Sequence, residues 1–399
     1  MGCCVAIFWP GALTFGFPGV MAPIWQDMFH VGRAATGATI FFMLAAVGAF
    51  MFLVGRWQER YGIRRMIFLG VFLTAFASVV AAYASSIYMI YAWAFLNGIA
   101  SCFVYVPALT LVQLWYPRKK GLASGTVSMV FGLSAAIMSP LFVKLLISLG
   151  YISMNLSIAV LTLIAGFAGA YLARAPVMDE EIDASVRSLP DEPSETRQAG
   201  WNLWSRSLTV EECLHTRSFW FLWITWTLAG AAGVSMSILA TAYGLSKGFD
   251  LGSAILILMA FNFTNGTGRI ISGFFSDKIG RNKTMSMAFL AAALAYFVLP
   301  FAGEVASCAF LASIVGFAHG TLFSVSAPLV ADSFGLKHFG AIFGLAFAAY
   351  GFVAGHLGPM LSGYMLDATN DNFFLVFSYL GVFYLISGFC VRMVTQSLH

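Results

Sequence analysis

Residues 55–65 read GRWQERYGIRR, and residues 273–283 read GFFSDKIGRNK. Both have the form G-x-x-x-acid-base-x-G, followed by further basic residues. Each stretch closes the second long apolar run of its half of the chain. A matched pair at matched places is the signature of an internal repeat, here two parallel halves related by an axis along a membrane normal. The residue types have a physical use. Gly55 and Gly273 allow neighbouring helices to approach closely. Glu59 and Asp277 can accept from helix N-termini or pair with cations. With Arg60, Arg64, Lys278 and Arg281 they form a candidate latch, made in one conformation and released in another.

The surrounding sequence supports a membrane setting. Of 399 residues, 60% are hydrophobic and 10% charged, against roughly a quarter charged in an ordinary soluble chain. The apolar residues fall in runs such as MIFLGVFLTAFASVVAAYA (66–84) and FFLVFSYLGVFYLISGFCV (373–391). Runs of about 20 residues span a bilayer as helices, which satisfy their own backbone. The alternation of an outer-membrane barrel is absent. Twelve spans are expected: 2–25, 35–55, 66–84, 88–114, 121–149 and 154–173, then 219–243, 251–275, 284–302, 306–330, 338–366 and 373–391. The first run is long enough to remain as a helix rather than be cleaved as a signal. Between the halves, 174–217 carries nine acidic and five basic residues with Pro176, Pro190 and Pro193, the composition of a solvated linker. The expected fold is therefore an all-α integral membrane protein. It has an N-terminal six-helix bundle (1–173), a linker (174–217) and a C-terminal six-helix bundle (218–399).

Charge placement gives the orientation. With the N-terminus inside, the inner segments hold 17 of the 21 Lys and Arg, and the outer loops hold two, Arg33 and Lys247. This asymmetry predicts both termini in the cytoplasm of a plasma-membrane protein. Lys144 and Arg269 fall inside spans. The cysteines at 3, 4, 102, 213, 308 and 390 have no metal-site spacing and read as packing residues, with lipidation of Cys3 or Cys4 a weaker alternative. No phosphate loop, acid–base or nucleophile constellation, cofactor motif or nucleic-acid module is visible, which argues against an ATPase, an enzyme and a nucleic-acid partner.

The paired loops resemble the cytoplasmic motif of the major facilitator superfamily, with Glu59 where Asp is more usual. Within that superfamily, Trp115-Tyr116-Pro117-Arg118-Lys119-Lys120-Gly121-Leu122-Ala123-Ser124-Gly125 and Asn265-Gly266-Thr267-Gly268-Arg269 are similar to the branch of monocarboxylate transporters and oxalate:formate antiporters. The resemblance covers the membrane portion and not the linker. It implies two pseudo-symmetric six-helix bundles, alternating access and an eighth-helix arginine that binds the substrate carboxylate.

Arg269 is the leading site residue on its own chemistry. A cation inside a span belongs in a bundle interior with water and an anionic partner, and its planar fork fits a carboxylate. Snorkelling to the nearby inner surface is the competing environment. Asn265 lies one turn away and can donate to the same substrate. Asn97, Ser101 and Tyr105 share one face of the fourth span; Tyr105 can bind substrate or bond between helices. His319 is a candidate for substrate binding and proton coupling, with Phe323 one turn on. Phe15, Phe17, Ala346, Phe347, Tyr350 and Tyr384 complete the candidate cavity lining. The oxalate:formate antiporters carry an eleventh-helix lysine where Ala346 or Phe347 stands, and the animal monocarboxylate transporters carry Asp where this chain has Asn265. A single cavity cation favours a monoanion. The expected function is proton-coupled symport of a small monocarboxylate such as L-lactate or pyruvate, by a chain able to work as a monomer. An organic-anion exchanger and a non-transporting membrane sensor are the alternatives.

Overall fold

The computed structural model describes residues 1–31, 33–116, 119–174 and 207–395, and these contain helices and no strand. The first pass is α1 (Gly2–Gly11), a π-helical turn (Ala12–Gly16) and α2 (Phe17–Phe29). Pro18 has no N–H for the Thr14 carbonyl, and the Phe17 N–H reaches back five residues to Ala12 O. The bend expected from Gly16, Pro18 and Gly19 is thus a local widening of the helix. There follow α3 (Arg33–Tyr61), α4 (Ile63–Ala82), α5 (Ile87–Trp115), α6 (Lys120–Leu149) and α7 (Tyr151–Leu172). After the linker come α8 (Val210–Leu214), α9 (Arg217–Ser246), α10 (Leu251–Ile279), α11 (Arg281–Val298) and α12 (Val305–Phe334). The next pass is α13 (Phe339–Ala349), two π-helical turns (Tyr350–Ala354 and His356–Met360) and α14 (Leu361–Ala368); α15 (Phe373–Arg392) ends the series.

Among the described residues, ten helical stretches are long and apolar enough to cross a membrane, two fewer than the expected twelve spans. The first pass, interrupted by its π turn, enters only as the shorter apolar stretch Gly2–Thr14, and α6 is not among the ten. Phe72, Ile164, Phe263 and Leu294 are each more than half exposed, which suits a lipid-facing exterior. Hydrocarbon gives helices no hydrophobic reason to associate, so close packing through small residues supplies the contact. A Cβ at Gly55 would fall on the Gly340 backbone, and one at Gly273 on the Gly121 backbone. These glycine crossings join α3 to α13 and α6 to α10, bringing the two halves of the chain together at the end that carries the repeated motifs.

The linker's expected solvated character needs correction at its end; 175–206 lie outside the described residues. The Leu208 N–H donates to Phe334 O at 2.9 Å, and Ser207 Oγ accepts from the Leu336 and Lys337 amides at 3.1 and 3.2 Å. These bonds use carbonyl and amide groups left over where α12 stops, so the segment docks there. Thr209 and Glu212 cap α8 reciprocally, and the Thr209 N–H holds the Glu212 carboxyl below its ordinary pKa. Burial pushes the Cys213 thiol up to about 12.

Candidate functional site

Arg269 is 2% exposed on α10, so snorkelling does not describe it. Glycines make room for it. A Cβ at Gly132 on α6 would stand 3.2 Å from the guanidinium carbon, and one at Gly320 on α12 would stand 3.3 Å from the arginine Cγ. One terminal nitrogen donates to Ser128 O at 3.0 Å, across to the first half of the chain. The other donates to Asn265 Oδ1 at 3.3 Å. Asn265, expected to donate to a substrate, here accepts from the arginine. The Phe323 ring covers a guanidinium face at 4.7 Å. No acid among the described residues pairs with Arg269, and its Nε has no hydrogen-bond partner there.

Around this cation lies an aromatic cage. Tyr105 Oη is 3.2 Å from Ser128 Oγ, whose residue also supplies the carbonyl to Arg269. His319 stacks edge-on to Phe323 at 5.1 Å, and Tyr350 stands 5.4 Å from the same ring. Phe347 joins Phe323 at 5.8 Å and Trp226 at 4.6 Å. A cavity of about 30 Å³ lies among these rings, lined among others by Thr14, Ser101, Tyr105, Phe323, Phe347 and Tyr350; Arg269 does not line it and adjoins it through Phe323, whose ring covers the guanidinium. The cavity has room for one or two waters. Two of the three π turns supply lining residues, Thr14 and Tyr350. Such turns recur at functional sites because they re-aim side chains and loosen the backbone ladder.

Other candidates stand elsewhere. Phe17 packs among Trp25, Trp93 and Phe142, away from the cavity. Tyr384 packs on Phe289 and Tyr296 in the second half. Their large rings fill helix interfaces rather than the cage. Ala346 is fully buried but does not line the cavity. Asn97 sits one turn behind Ser101 and donates to Thr14 at 3.4 Å. The side chain of Phe15 lies outside the described residues. His319 Nδ1 lies against Gly233 with no hydrogen-bond partner. Trp226 was absent from the candidates; nothing local in the sequence separates it from other aromatic packing residues.

The candidate latch is drawn in part differently from expectation. Asp277 accepts from the Gly121 and Leu122 amides at 3.0 and 2.9 Å, at the N-terminus of α6. Arg281 binds Asp277 and Ser276, and its Nε donates to Asp332 at 3.1 Å. Asp332 also holds Lys120 Nζ at 2.5 Å. Four charges from both halves thus close one crossing, and two of them, Lys120 and Asp332, were not singled out. Glu59 pairs with His338 Nδ1 at 3.0 Å, at the N-cap of α13. Arg60, Arg64 and Lys278 lie over aromatic rings of their own half instead, Arg60 over Tyr61, Arg64 over Phe68 and, across to α7, Tyr171, and Lys278 over Phe274. Pro117 and Arg118 lie outside the described residues.

Long apolar helices, a repeated glycine crossing and a buried cation between the two halves mark a multi-pass membrane protein. The chain belongs to the Major Facilitator Superfamily, whose family model matches residues 4–355 and 252–397. Among curated relatives, the oxalate:formate antiporter of Oxalobacter formigenes is 26% identical over 299 residues, covering 74% of this chain and 67% of that one. Human monocarboxylate transporter 6 is 26% identical over 403 residues, covering 94% and 76%. The solved Escherichia coli fucose:proton symporter FucP shares the fold with a TM-score of 0.73 at 14% identity, covering 99% of this chain and 98% of that one.

Proposed function

We propose that this carrier moves small monocarboxylates by alternating access between two six-helix bundles, residues 1–173 and 218–399. The reading takes twelve passes, counting the broken first pass and α6, with both termini in the cytoplasm of a plasma-membrane protein. The observation that carries it is Arg269. A buried guanidinium with no acidic partner among the described residues and an unbonded Nε has unmet demand for an anion. A carboxylate entering the cage supplies both the charge and the acceptor pair. Asn265 and the Ser128 carbonyl position the fork by accepting from it, Tyr105 bonds the Ser128 hydroxyl beside it, and His319 stands against Phe323.

In the sealed state the halves meet through α6 with α10 and α3 with α13 at the motif end. Substrate reaches the cage from the opposite side. With the arginine neutralised, the bundles rock, the latch opens and the substrate leaves to the cytoplasm. L-lactate and pyruvate are the reference substrates, with an accompanying proton making the cycle electroneutral. Exchange of two organic anions is the second reading, favoured by the likeness to an oxalate:formate antiporter.

Radiolabelled L-lactate uptake into proteoliposomes, with and without an inward proton gradient, tests the proposal. Arg269→Ala, reconstituted in equal amount, should weaken carboxylate affinity by roughly 30-fold or more, the cost of removing one member of a buried charged pair. Unchanged uptake by that variant refutes the assignment. Trans-stimulation independent of the gradient selects exchange.

A further inference from the structure

We infer that the carboxylate taken by Arg269 carries an apolar body, with an aromatic one favoured, so that hydrophobic monocarboxylates bind ahead of hydroxylated ones such as lactate. This rests on the reading of Arg269 as the anion-binding group. The case comes from which donors and acceptors around the cavity remain uncommitted.

The cavity hydroxyls are already engaged. Thr14 Oγ1 donates to Pro10 O at 2.6 Å, Ser101 Oγ donates to Asn97 O at 2.9 Å, and the two hydroxyls meet at 3.0 Å. Tyr105 Oη is spent on Ser128. Tyr350 is the lining residue whose hydroxyl makes no hydrogen bond among the described residues, and it stands over the Phe323 ring that faces the guanidinium. The uncommitted donors are therefore Tyr350 Oη on the wall and Arg269 Nε behind Phe323, and a carboxylate reaching the guanidinium lies at that end. The remaining walls are apolar: Leu44, Val47, Met51 and Phe131 from the first half and Phe347 from the second.

At about 30 Å³ the cavity is smaller than any organic acid, so wall side chains must move aside to admit one. Moving them does not change their chemistry. An aromatic or aliphatic side chain that swings away still presents apolar surface to the guest. A substrate ring can replace contacts now made between cage rings, such as Phe347 on Trp226 at 4.6 Å, in the same offset or edge-on geometries. Each methylene moved from water into such a site favours binding roughly fourfold. A hydroxyl carried against those walls, out of reach of Tyr350, gives up its water without a partner and loses roughly five- to 150-fold; the 2-hydroxyl of lactate stays beside the carboxylate, so lactate binds more weakly for want of an apolar body.

The test is calorimetric binding to the purified full chain in lipid nanodiscs, with 3-phenylpropanoate, butanoate and L-lactate as probes. 3-Phenylpropanoate should bind at least tenfold tighter than lactate, with butanoate between them. Its neutral amide, 3-phenylpropanamide, should not compete, which separates site binding from partitioning into lipid. Val47→Thr, a near-isosteric change that puts a hydroxyl in the wall, should narrow the ratio, and Arg269→Gln should abolish binding of all three acids. Lactate binding as tightly as 3-phenylpropanoate, or competition by the amide, overturns the inference; if Arg269→Gln still abolishes lactate binding, the anion site itself stands. Carboxylate binding indifferent to Arg269→Gln, or no binding of any of the three, overturns both.

Discussion

Asp332→Asn should spring the latch. Asp332 sits between Lys120 Nζ at 2.5 Å and Arg281 Nε at 3.1 Å, and their side chains are no more than 9% exposed. With Asp277 paired to Arg281, two acids balance two bases. The substitution leaves one excess positive charge in a nearly dry crossing. Breaking a buried pair from one side costs about 3–5 kcal/mol. The lower figure applies, because the asparagine oxygen still accepts from one of the two cations, while its NH2 takes the place of the oxygen that bonded the other. When the crossing opens, the same charges hydrate, so the cost falls on the closed motif end alone. About 3 kcal/mol moves the closed-to-open ratio by roughly 150-fold. Spin labels at Arg65 and Lys283, exposed at the starts of α4 and α11, would report this by pulsed electron–electron resonance. The short-distance population should collapse in Asp332→Asn and largely return in Lys120→Met/Asp332→Asn, which restores charge balance. The Glu59–His338 pair is an internal control. Its side chains are 30% and 24% exposed, so Glu59→Gln should cost about 0.5 kcal/mol, roughly a twofold shift. Equal distance distributions for Asp332→Asn and wild type, or equal effects at Asp332 and Glu59, would refute the argument.

Two further outcomes follow from packing. Gly273→Val places branched carbon where the Gly121 carbonyl lies; it should hold the motif end apart, lengthen the same label distance and reduce uptake at least tenfold, while protein yield in the membrane falls less. Cys213 should resist maleimide labelling at pH 8 in the folded protein and react once denatured, since its buried thiol titrates near 12.

Helix placement and the glycines that let neighbouring helices approach were legible because apolar run length and glycine spacing are local properties of the chain; which end is closed was not. Arg269 stood out for the same reason: a lone cation in an apolar run is visible without knowing its neighbours. Its neighbours were not visible. Ser128 donates no sequence signal, since the arginine binds its backbone carbonyl. Asp332 and Lys120 are 212 residues apart, and the expected tenth span stopped at 330, whereas α12 carries on to Phe334 and so draws Asp332 into the buried crossing.

The repeat also conceals a difference that its glycines do not reveal. Aligning Gly62 with Gly280 puts Ile63 where Arg281 stands, and aligning Gly121 with Gly340 puts Gln113 where Asp332 stands. The first copy therefore cannot build the charged network of the second. It uses neutral bonds in its place: Gln58 Nε2 donates to Thr110 Oγ1 at 2.9 Å, and Gln113 donates to Ser124. Backbone approach is duplicated while the electrostatics are not. The α6–α10 crossing closes only when four charges find one another, whereas α3 and α13 close on packing and one partly exposed pair, the amide bonds staying within the first half. An internal repeat thus predicts where two halves touch, because touching needs only small residues at matched places. It does not predict what holds them, because charge pairing depends on a third and fourth helix that each copy meets separately.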